Sequence, residues 1–293
     1  MEKTKLTKPT AYINGKFVSE EKAVISVFDR GLSYGDGLFE TIRARDGRPL
    51  LFAGHLQRLK AGADAILMPK NALAPILQKI DDRLVSRLLK ENGLADGEAY
   101  VKIIVTRGVD RGGHLPARDI KPTVIMYTKP IEASFLERVR SKGLKAALIR
   151  DYGPALPGIK TLNYISNILA RIEADDLKAD EGLFTTTRAR VTEGTSTNLF
   201  IVLKGILRTP PLSGEGLLPG ITRDAVIGVA KENGVIVAEG PVSVTELLMS
   251  EEAFLTNAIL GIAPLTRVDK APIGSGRRGP ITRRLQGLYL QKY

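Results

Sequence analysis

The residue with the clearest chemical potential is Lys160, which lies between a Pro/Gly turn and an amphipathic stretch within Pro157–Tyr164. Ile159 and Leu162 flank it and would shield its amine from water. A desolvated lysine amine loses its proton more easily and becomes a nucleophile towards carbonyl compounds. The same residue is also compatible with an ordinary helix start, where its positive charge is mildly unfavourable.

Glu193 lies in a second such segment, the small and hydroxyl-rich turn within Val191–Phe200 that enters an apolar stretch. In one interpretation, Glu193 simply begins a solvated loop. In the other, it supplies the anion that the pyridine ring of a cofactor needs beside its nitrogen. That anion keeps the nitrogen protonated, so the ring can accept electrons.

Two places are suited to the phosphate group of a ligand. The segment Pro219–Arg223 opens a helix after a glycine turn, where free backbone N–H groups and the helix dipole favour an anion. Arg58, in a predicted helix, could add a bidentate guanidinium contact. Considered alone, Arg58 is more simply explained as a surface residue.

Several other chemistries are excluded by what the sequence lacks. The chain has no cysteine, which excludes disulfides, thiolate metal sites and a cysteine nucleophile. No GxGxxG motif follows a predicted strand, and the chain has no GxxxxGK[ST] motif. Its two histidines, His55 and His114, are too far apart in the chain for metal-ligand spacing, so no metal site is expected.

The formal net charge of +11 is spread along the chain and interleaved with acids. The densest basic cluster, Arg277–Arg278 with Arg283–Arg284, is expected to be a solvated helix face, so no nucleic-acid partner is predicted. There is no apolar run of about 18 residues that could span a membrane. The polar start of the chain has no apolar leader after it, and a cytoplasmic protein is the simplest expectation.

The N-terminal part predicts an α+β unit whose strands are arranged as hairpins. Asn14-Gly15 and Asp46-Gly47 are tight-turn signals, and Asn92-Gly93 is a helix stop. The predicted strands are Ala11–Ile13, Lys16–Val18, Ala23–Phe28, Gly37–Arg45, Arg48–Phe52, Ala99–Thr106 and Thr123–Thr128. Helical periodicity covers His55–Leu67 and Leu73–Leu89.

The C-terminal part predicts a second unit in which antiparallel strands again dominate. Its predicted strands are Leu144–Ile149, Glu181–Thr187, Ala189–Thr192, Asn198–Val202, Gly205–Thr209, Val235–Glu239 and Ala253–Asn257. Its predicted helices are Asn163–Leu177, Ile221–Glu232 and Ile281–Leu290. We therefore expect a small N-terminal α+β domain over 1–128, a linker over 129–134 and a large C-terminal domain over 135–293.

Taken in order, these segments resemble the fold type IV, or class IV, family of pyridoxal-phosphate aminotransferases. The resemblance begins at Tyr12–Gly15, includes Asp29–Thr41 and continues through the segments above to Thr256–Ala258, so it covers nearly the whole chain. It implies a small α/β domain, a larger cofactor-binding domain with barrel-like β structure, and pyridoxal 5′-phosphate as cofactor. It also implies a homodimer.

The resemblance assigns roles to individual residues. Lys160 would carry the cofactor as a Schiff base and move the proton between Cα and C4′, and Glu193 would pair with the pyridinium nitrogen. Tyr164 would lie near the ring hydroxyl. The phosphate would be held by Arg58, the backbone of Ile221, Thr222, Thr256 and Asn257. One departure is Ala258, where many aminotransferases have a hydroxyl residue, and Asn257 precedes it as in the lyases of the family.

For the substrate, the motifs point in different directions. Tyr34 and Tyr164 match branched-chain members, whereas Lys102 stands where those enzymes have an arginine. D-amino-acid enzymes place an arginine and a histidine in the next loop to bind the α-carboxylate. Arg111 and His114 could do the same, or could face water. The candidate substrate-binding residues are Tyr34, Phe39, Lys102, Arg111 and His114.

We therefore predict a transaminase that works by a ping-pong mechanism and moves an amino group from an amino acid to a 2-oxo acid. A D-amino acid such as D-alanine is the favoured donor, and branched-chain L-amino acids come next. One alternative is an aminodeoxychorismate lyase that releases pyruvate and 4-aminobenzoate. Another is a basic interaction protein without turnover, and the complete set of Lys160, Glu193, Arg58 and Thr222 argues against it.

Overall fold

A computed structural model describes residues 9–150, 156–214 and 216–293. The chain divides into two compact units. The first contains the residues up to Ala133 together with the short segment Ile159–Asn163, and the second contains Ser134–Gly158 and Tyr164–Tyr293. The domain boundaries from the sequence stay a prediction. The predicted boundaries place Lys160 in the C-terminal domain, whereas the segment that carries Lys160 belongs to the first unit.

The first unit is built on a six-stranded antiparallel sheet. Its strands are β1 Thr10–Ile13, β2 Lys16–Ser19, β3 Gly37–Arg45, β4 Arg48–Pro49, β5 Glu98–Thr106 and β6 Thr123–Pro130. The strand order is β2-β1-β6-β5-β3-β4. Asn14 and Gly15 have φ values of 47° and 90°, so the predicted hairpin turn between β1 and β2 is confirmed.

Three helices cover one face of this sheet. The helices of the unit are α1 Arg30–Tyr34, α2 Phe52–Ala65, α3 Lys70–Leu77 and α4 Asp82–Glu91, with a 3₁₀ turn at Glu20–Lys22. Alternate residues of β3 and β5, such as Ile42 and Val101, pack against Leu59 of α2 and Leu88 of α4. Each such buried side chain contributes about 1.5–3 kcal/mol. The opposite face of the sheet is not covered by these helices.

The predicted strand Ala23–Phe28 is wrong. The segment is irregular, and no ladder joins it to a neighbouring strand among the described residues. Its apolar side chains are largely exposed, with Val24 at 75% and Val27 at 70% of their full accessibility. Alternating apolar residues favour a strand only where a neighbouring strand and a core are present to receive them.

The single predicted helix Leu73–Leu89 is also wrong, because the chain forms α3 and α4 with a break between them. The side chain of Asp81 accepts a hydrogen bond from the Leu84 N–H at 2.8 Å and so starts a new helix. The predicted strand Arg48–Phe52 shortens to β4, since α2 already begins at Phe52. The predicted stop at Asn92-Gly93 is confirmed, with Gly93 at φ 67°.

The second unit is built on a ten-stranded sheet, part of which closes on itself. Its strands are β7 Leu144–Arg150, β8 Glu181–Thr185, β9 Arg190–Gly194, β10 Asn198–Leu203, β11 Ile206–Thr209, β12 Val237–Glu239, β13 Val242–Ser243, β14 Glu252–Asn257, β15 Gly261–Val268 and β16 Ala271–Pro272. A ring runs β10-β14-β15-β7-β8-β9 and returns to β10 through the pair Glu193 and Asn198. The predicted barrel-like β structure is therefore confirmed.

The helices of this unit are α5 Ala133–Lys142, α6 Ile165–Asp176, α7 Ile221–Glu232, α8 Val244–Leu248 and α9 Pro280–Lys292. Buried residues of α6, α7 and α9 pack outside the barrel, whereas Val139 of α5 and Leu247 of α8 join its interior cluster. Along β10, Leu199 and Ile201 join the interior cluster while Phe200 points outward to α7 and α9. The Phe200 ring stacks on the Phe254 ring of β14, with centroids 4.9 Å apart. Period-two alternation thus separates the two layers.

Candidate active site

Lys160 is held in the first unit by main-chain pairing with the start of β3. The Phe39 N–H donates to the Lys160 carbonyl at 3.1 Å, and the Leu162 N–H donates to the Gly37 carbonyl at 2.9 Å. This pairing aims the side chain along the face of the sheet that α2 leaves uncovered. The Lys160 amine lies 4.4 Å from the centroid of the Phe39 ring. An aromatic ring therefore lies beside the amine, while the shielding expected from Ile159 and Leu162 stays a prediction.

Lys102, on β5, places a second amine at the same ring. Its nitrogen lies 3.4 Å from the Phe39 centroid and 3.4 Å from the Thr41 hydroxyl. Burial lowers the pKa of Lys102 to about 7, and the charge of Lys160 acts in the same direction while Glu40 opposes it. The structure thus brings together the predicted residues Phe39, Lys102 and Lys160.

Arg58 is held by a buried carboxylate that the sequence analysis did not assign. Its guanidinium donates to both oxygens of Glu40, each at 2.7 Å, and His55 Nδ1 lies 2.8 Å from the same carboxylate. Burial alone would raise the pKa of Glu40, but the bonds from Arg58 and His55 lower it to about 2. Burial lowers the pKa of His55, while its contact with Glu40 acts in the opposite direction. Arg58 is therefore fixed in orientation by an anion.

The loop predicted to grip a substrate carboxylate separates its two candidates. The His114 ring meets the Tyr34 ring edge-on at 5.7 Å, so these two predicted residues are together. The Arg111 guanidinium instead lies 4.8 Å from the centroid of Phe28. Buried Arg30 holds this loop by donating hydrogen bonds to the carbonyls of Gly113 and His114 at 2.8 and 3.0 Å. The carboxylate-binding role of Arg111 and His114 stays a prediction.

In the second unit, Glu193 lies at the end of β9 beside the segment that leads into α7. Its Oε2 accepts hydrogen bonds from the Leu218 N–H at 3.2 Å and from Asn198 Nδ2 at 3.3 Å. The carboxylate is half-buried and held from two directions. Tyr164, also half-buried, immediately precedes α6.

The predicted phosphate site has polar groups that lack a partner in the protein. The start of α7 at Ile221 is preceded by Gly220, which makes no side-chain capping bond. The hydroxyls of Thr222 and Thr256 are buried and have no hydrogen-bond partner among the residues that the structure describes. Leaving a buried hydroxyl unpaired costs about 1–3 kcal/mol, which a bound anion would offset. Asn257 uses its Oδ1 to accept from the N–H groups of Ile259 and Leu260, at 3.0 and 2.8 Å, so it shapes the turn.

Strand register places Glu193 and Thr256 in one row across the sheet. Asn198 of β10 pairs with Glu193 of β9 on one side and with Thr256 of β14 on the other. Two strand spacings put Glu193 and Thr256 about 10 Å apart. An anion at one end and orphaned hydroxyls at the other suit an elongated ligand with a basic ring nitrogen and a phosphate. The residues present therefore fit pyridoxal 5′-phosphate.

Several structural residues of the site were missed from the sequence. Glu40 lies in the segment Asp29–Thr41, but nothing in its neighbours predicts its partner Arg58, and His55 was considered only as a metal ligand. The spacing of His55 and Arg58, three residues apart on one helix face, was a usable signal. Glu181, buried on β8, accepts from the hydroxyls of Thr195, Ser196 and Thr197. It holds the turn that follows Glu193.

The described parts of the chain contain neither a membrane-spanning helix nor a cluster of metal ligands. No helix there is both long and apolar enough to cross a bilayer. No group of three or more His, Cys, Asp or Glu side chains in those parts is placed to hold a metal ion.

Known proteins resemble this chain over nearly its full length. A putative branched-chain-amino-acid aminotransferase of Methanocaldococcus jannaschii is 37% identical over 279 residues, covering 94% of this chain and 93% of the relative. An aminodeoxychorismate lyase of Bacillus subtilis is 32% identical, covering 95% and 92%. A D-alanine aminotransferase of Staphylococcus epidermidis is also 32% identical, covering 94% of each.

Solved structures agree. The branched-chain amino acid aminotransferase of Escherichia coli has a TM-score of 0.85 at 29% identity, covering 97% of this chain and 94% of that one. The T.th. branched-chain amino acid aminotransferase, solved with pyridoxamine 5′-phosphate, also has a TM-score of 0.85, at 27% identity with 98% and 94% covered. The family model for amino-transferase class IV matches residues 37–268. The chain belongs to the class IV aminotransferase family.

Proposed function

We propose that the chain is a pyridoxal-phosphate-dependent transaminase. The observation that carries the proposal is the pair of buried, partnerless hydroxyls, Thr222 and Thr256, beside the uncapped start of α7. A protein tolerates such groups where a ligand completes them. Glu193, in the same strand row, supplies the charge that a pyridine nitrogen requires.

The cofactor would be held by the residues predicted from the sequence. Lys160 would hold it as a Schiff base, Glu193 would face the ring nitrogen and Tyr164 the ring hydroxyl. The phosphate would be bound by Arg58, the backbone of Ile221, Thr222, Thr256 and Asn257. When bound, pyridoxal phosphate supplies an electron sink for the bond between Cα and hydrogen.

The residues of the chain supply the proton transfer and the electrostatics. Lys160 accepts the proton from the substrate Cα as a neutral amine and returns it at C4′, which makes it the general base and then the acid. Burial and the charge of Lys160 lower the pKa of the neighbouring Lys102 to about 7. The Phe39 ring removes water from this side. Donation from Leu218 and Asn198 holds the Glu193 carboxylate at a fixed place.

For the substrates, we propose an amino acid donor and a 2-oxo acid acceptor in a ping-pong reaction. Similarity to branched-chain enzymes supports branched-chain L-amino acids. D-Amino acids such as D-alanine are the second candidate, favoured by His114 beside Tyr34 and by the D-alanine relatives. The separation of Arg111 onto Phe28 argues for the first. A location in the cytoplasm and a homodimer complete the proposal.

The lyase activity is the remaining alternative. It is favoured by the sequence Asn257-Ala258 and by the aminodeoxychorismate lyase relative. The same lysine and cofactor would serve it. Since both activities use one site, only the reaction products separate them.

The experiment uses the purified protein loaded with pyridoxal 5′-phosphate. L-Leucine, D-alanine and aminodeoxychorismate are added singly, and the absorbance of the lysine-bound cofactor is followed together with pyruvate release. Conversion to the pyridoxamine form by an amino acid supports the transaminase. Pyruvate release from aminodeoxychorismate, with no conversion by either amino acid, would replace it with the lyase. A protein that stays colourless with added cofactor would end both proposals.

A further inference from the structure

Asn198 is buried where β9 and β10 meet, and its side chain contacts Glu193 and the segment that leads into α7. Its Nδ2 donates to Glu193 Oε2 at 3.3 Å and to the Leu218 carbonyl at 3.1 Å. The Leu218 N–H donates to the same Glu193 oxygen at 3.2 Å. The three bonds form a closed loop that joins the carboxylate to the segment leading into α7.

The other atom of the amide, Oδ1, explains the residue at the start of α7. A Cβ on residue 220 would lie 1.9 Å from Asn198 Oδ1, which is closer than two nonbonded atoms can approach. Gly220 has φ −74°, a conformation open to every L-residue. Glycine is therefore required at this position by space and not by backbone conformation. The amide determines how closely the first turn of α7 approaches β10.

We propose that Asn198 is a positioning residue that fixes Glu193 and the N-terminus of α7 relative to each other. Both ends of the cofactor, the ring nitrogen and the phosphate, are then bound by one rigid group of atoms. The inference rests on the proposed function. Its physical basis is that side chains which lock the groups touching a ligand remove the cost of ordering those groups on binding.

The test uses the space around Gly220. Gly220→Ala displaces the amide of Asn198 and should weaken the binding of pyridoxal 5′-phosphate about 10- to 100-fold, the range expected for a lost buried hydrogen bond to a charged group. Gly228→Ala is the matched control, because it lies on the same helix and a Cβ there meets nothing within 4 Å. Its affinity should equal that of the wild type.

Asn198→Ala should produce the same loss, and the double variant Asn198→Ala/Gly220→Ala should lose nothing further. The reason is that the new Cβ then enters space that the amide has left. Asn167→Ala is a second control, since Asn167 Nδ2 donates at 2.8 Å to Thr195 in the turn after Glu193 but not to Glu193 itself. Additive losses in the double variant would overturn the link between Asn198 and Gly220.

Two readouts separate positioning from a general effect on folding. The first is thermal melting of the cofactor-free variants, which reports stability. The second is the affinity for pyridoxal, which lacks the phosphate and so reports binding at the ring end alone. The loss should be larger for pyridoxal 5′-phosphate than for pyridoxal. Equal losses would remove the claim about α7, and wild-type affinity in both single variants would overturn the inference alone. A wild-type protein that binds neither compound would instead refute the proposed function, and the inference with it.

Discussion

The candidate ligand-binding residues of the two units differ in electrostatic character. The first unit presents cations, and it stabilises Arg58 with the buried carboxylate of Glu40. The second unit presents the carboxylate of Glu193 and two hydroxyls, those of Thr222 and Thr256, that lack a partner among the described residues. Arg58 is thus already paired without a ligand, whereas a bound anion would complete the two hydroxyls.

This difference between a paired guanidinium and unpaired hydroxyls predicts which groups supply the free energy of cofactor binding. A guanidinium already paired with a carboxylate gains little new enthalpy from a phosphate, but it loses little orientational entropy. Hydroxyls without a partner gain a full hydrogen bond when the phosphate arrives. Substitutions in the first unit should therefore act mainly on the chemistry at Lys160, and those in the second mainly on cofactor affinity and ring electronics.

The largest effect should come from Lys160→Ala, which removes the base of the first unit. We expect turnover to fall by at least about 10⁴-fold, because both covalent attachment and proton transfer are lost. Lys60→Ala, an exposed lysine of α2, is the control and should retain full turnover. The measurement is steady-state turnover with thermal melting of both variants. Wild-type turnover in Lys160→Ala would remove the assignment.

Glu193→Gln should come next, with turnover lowered about 10²- to 10³-fold through loss of preorganised charge. The amide oxygen of the new side chain can still accept from Leu218, so the geometry should survive. Cofactor affinity should change less than turnover. Glu137→Gln, on an exposed face of α5, is the control for the loss of one carboxylate. Unchanged turnover in Glu193→Gln would contradict a role at the ring nitrogen.

Thr256→Val tests the orphaned hydroxyls of the second unit. Cofactor affinity should fall about tenfold, while the cofactor-free protein should be no less stable, because the hydroxyl had no partner to lose. Thr209→Val is the matched control. Its hydroxyl is equally buried but donates to the Leu199 carbonyl at 2.8 Å, so stability should drop about 1–2 kcal/mol with affinity unchanged. Isothermal titration and chemical denaturation measure the two quantities.

The smallest effect concerns Lys102 and pH. With its pKa lowered to about 7, Lys102 loses its charge between about pH 6 and 8, so the affinity for a carboxylate substrate should fall up to about tenfold over that range. Lys102→Arg keeps the charge and should flatten the profile, whereas Lys102→Met should flatten it at the low-affinity level. A profile that is identical in all three proteins would show that Lys102 does not bind the carboxylate.

The same shift has a consequence for stability. The folded-state pKa of Lys102 lies below its unfolded value of 10.5, so between about pH 7 and 10.5 the unfolded chain binds more protons than the folded chain. The free energy of unfolding should therefore rise with pH through that window. Denaturation of the wild type and of Lys102→Met at pH 7 and 9 measures the difference.

Local signals in the sequence predicted much of the fold. The Asn14-Gly15 turn, the Asn92-Gly93 stop and the start of α7 at Ile221 each follow from one or two residues whose chemistry dictates the backbone. Strand β15 was not predicted, although it is one of the strands of the barrel ring. Its near-continuous apolar sequence contains Pro264, which argues against an interior strand.

Contacts between distant segments limited the prediction of the site. Lys160 and Glu193 were found because their neighbours are chemically unusual. Glu40 and Arg58 meet through the packing of α2 on β3, which no spacing in the sequence encodes. Asn198 and Gly220 likewise meet only after the barrel closes. The residues proposed to touch the ligand were therefore visible in the sequence, and the residues that hold them were not.

The barrel ring is completed at β9 and β10 by a single residue pair, Glu193 and Asn198, and further along β9 the neighbouring strand is β13. Hydrogen bonds between Leu218 and both members of the pair add to this junction. A bound cofactor that contacts Glu193 would stabilise this junction. We therefore expect the cofactor-loaded protein to resist proteolysis better than the cofactor-free protein. Hydrogen exchange of the β9 and β10 amides with and without cofactor would measure that protection, and equal exchange rates would refute it.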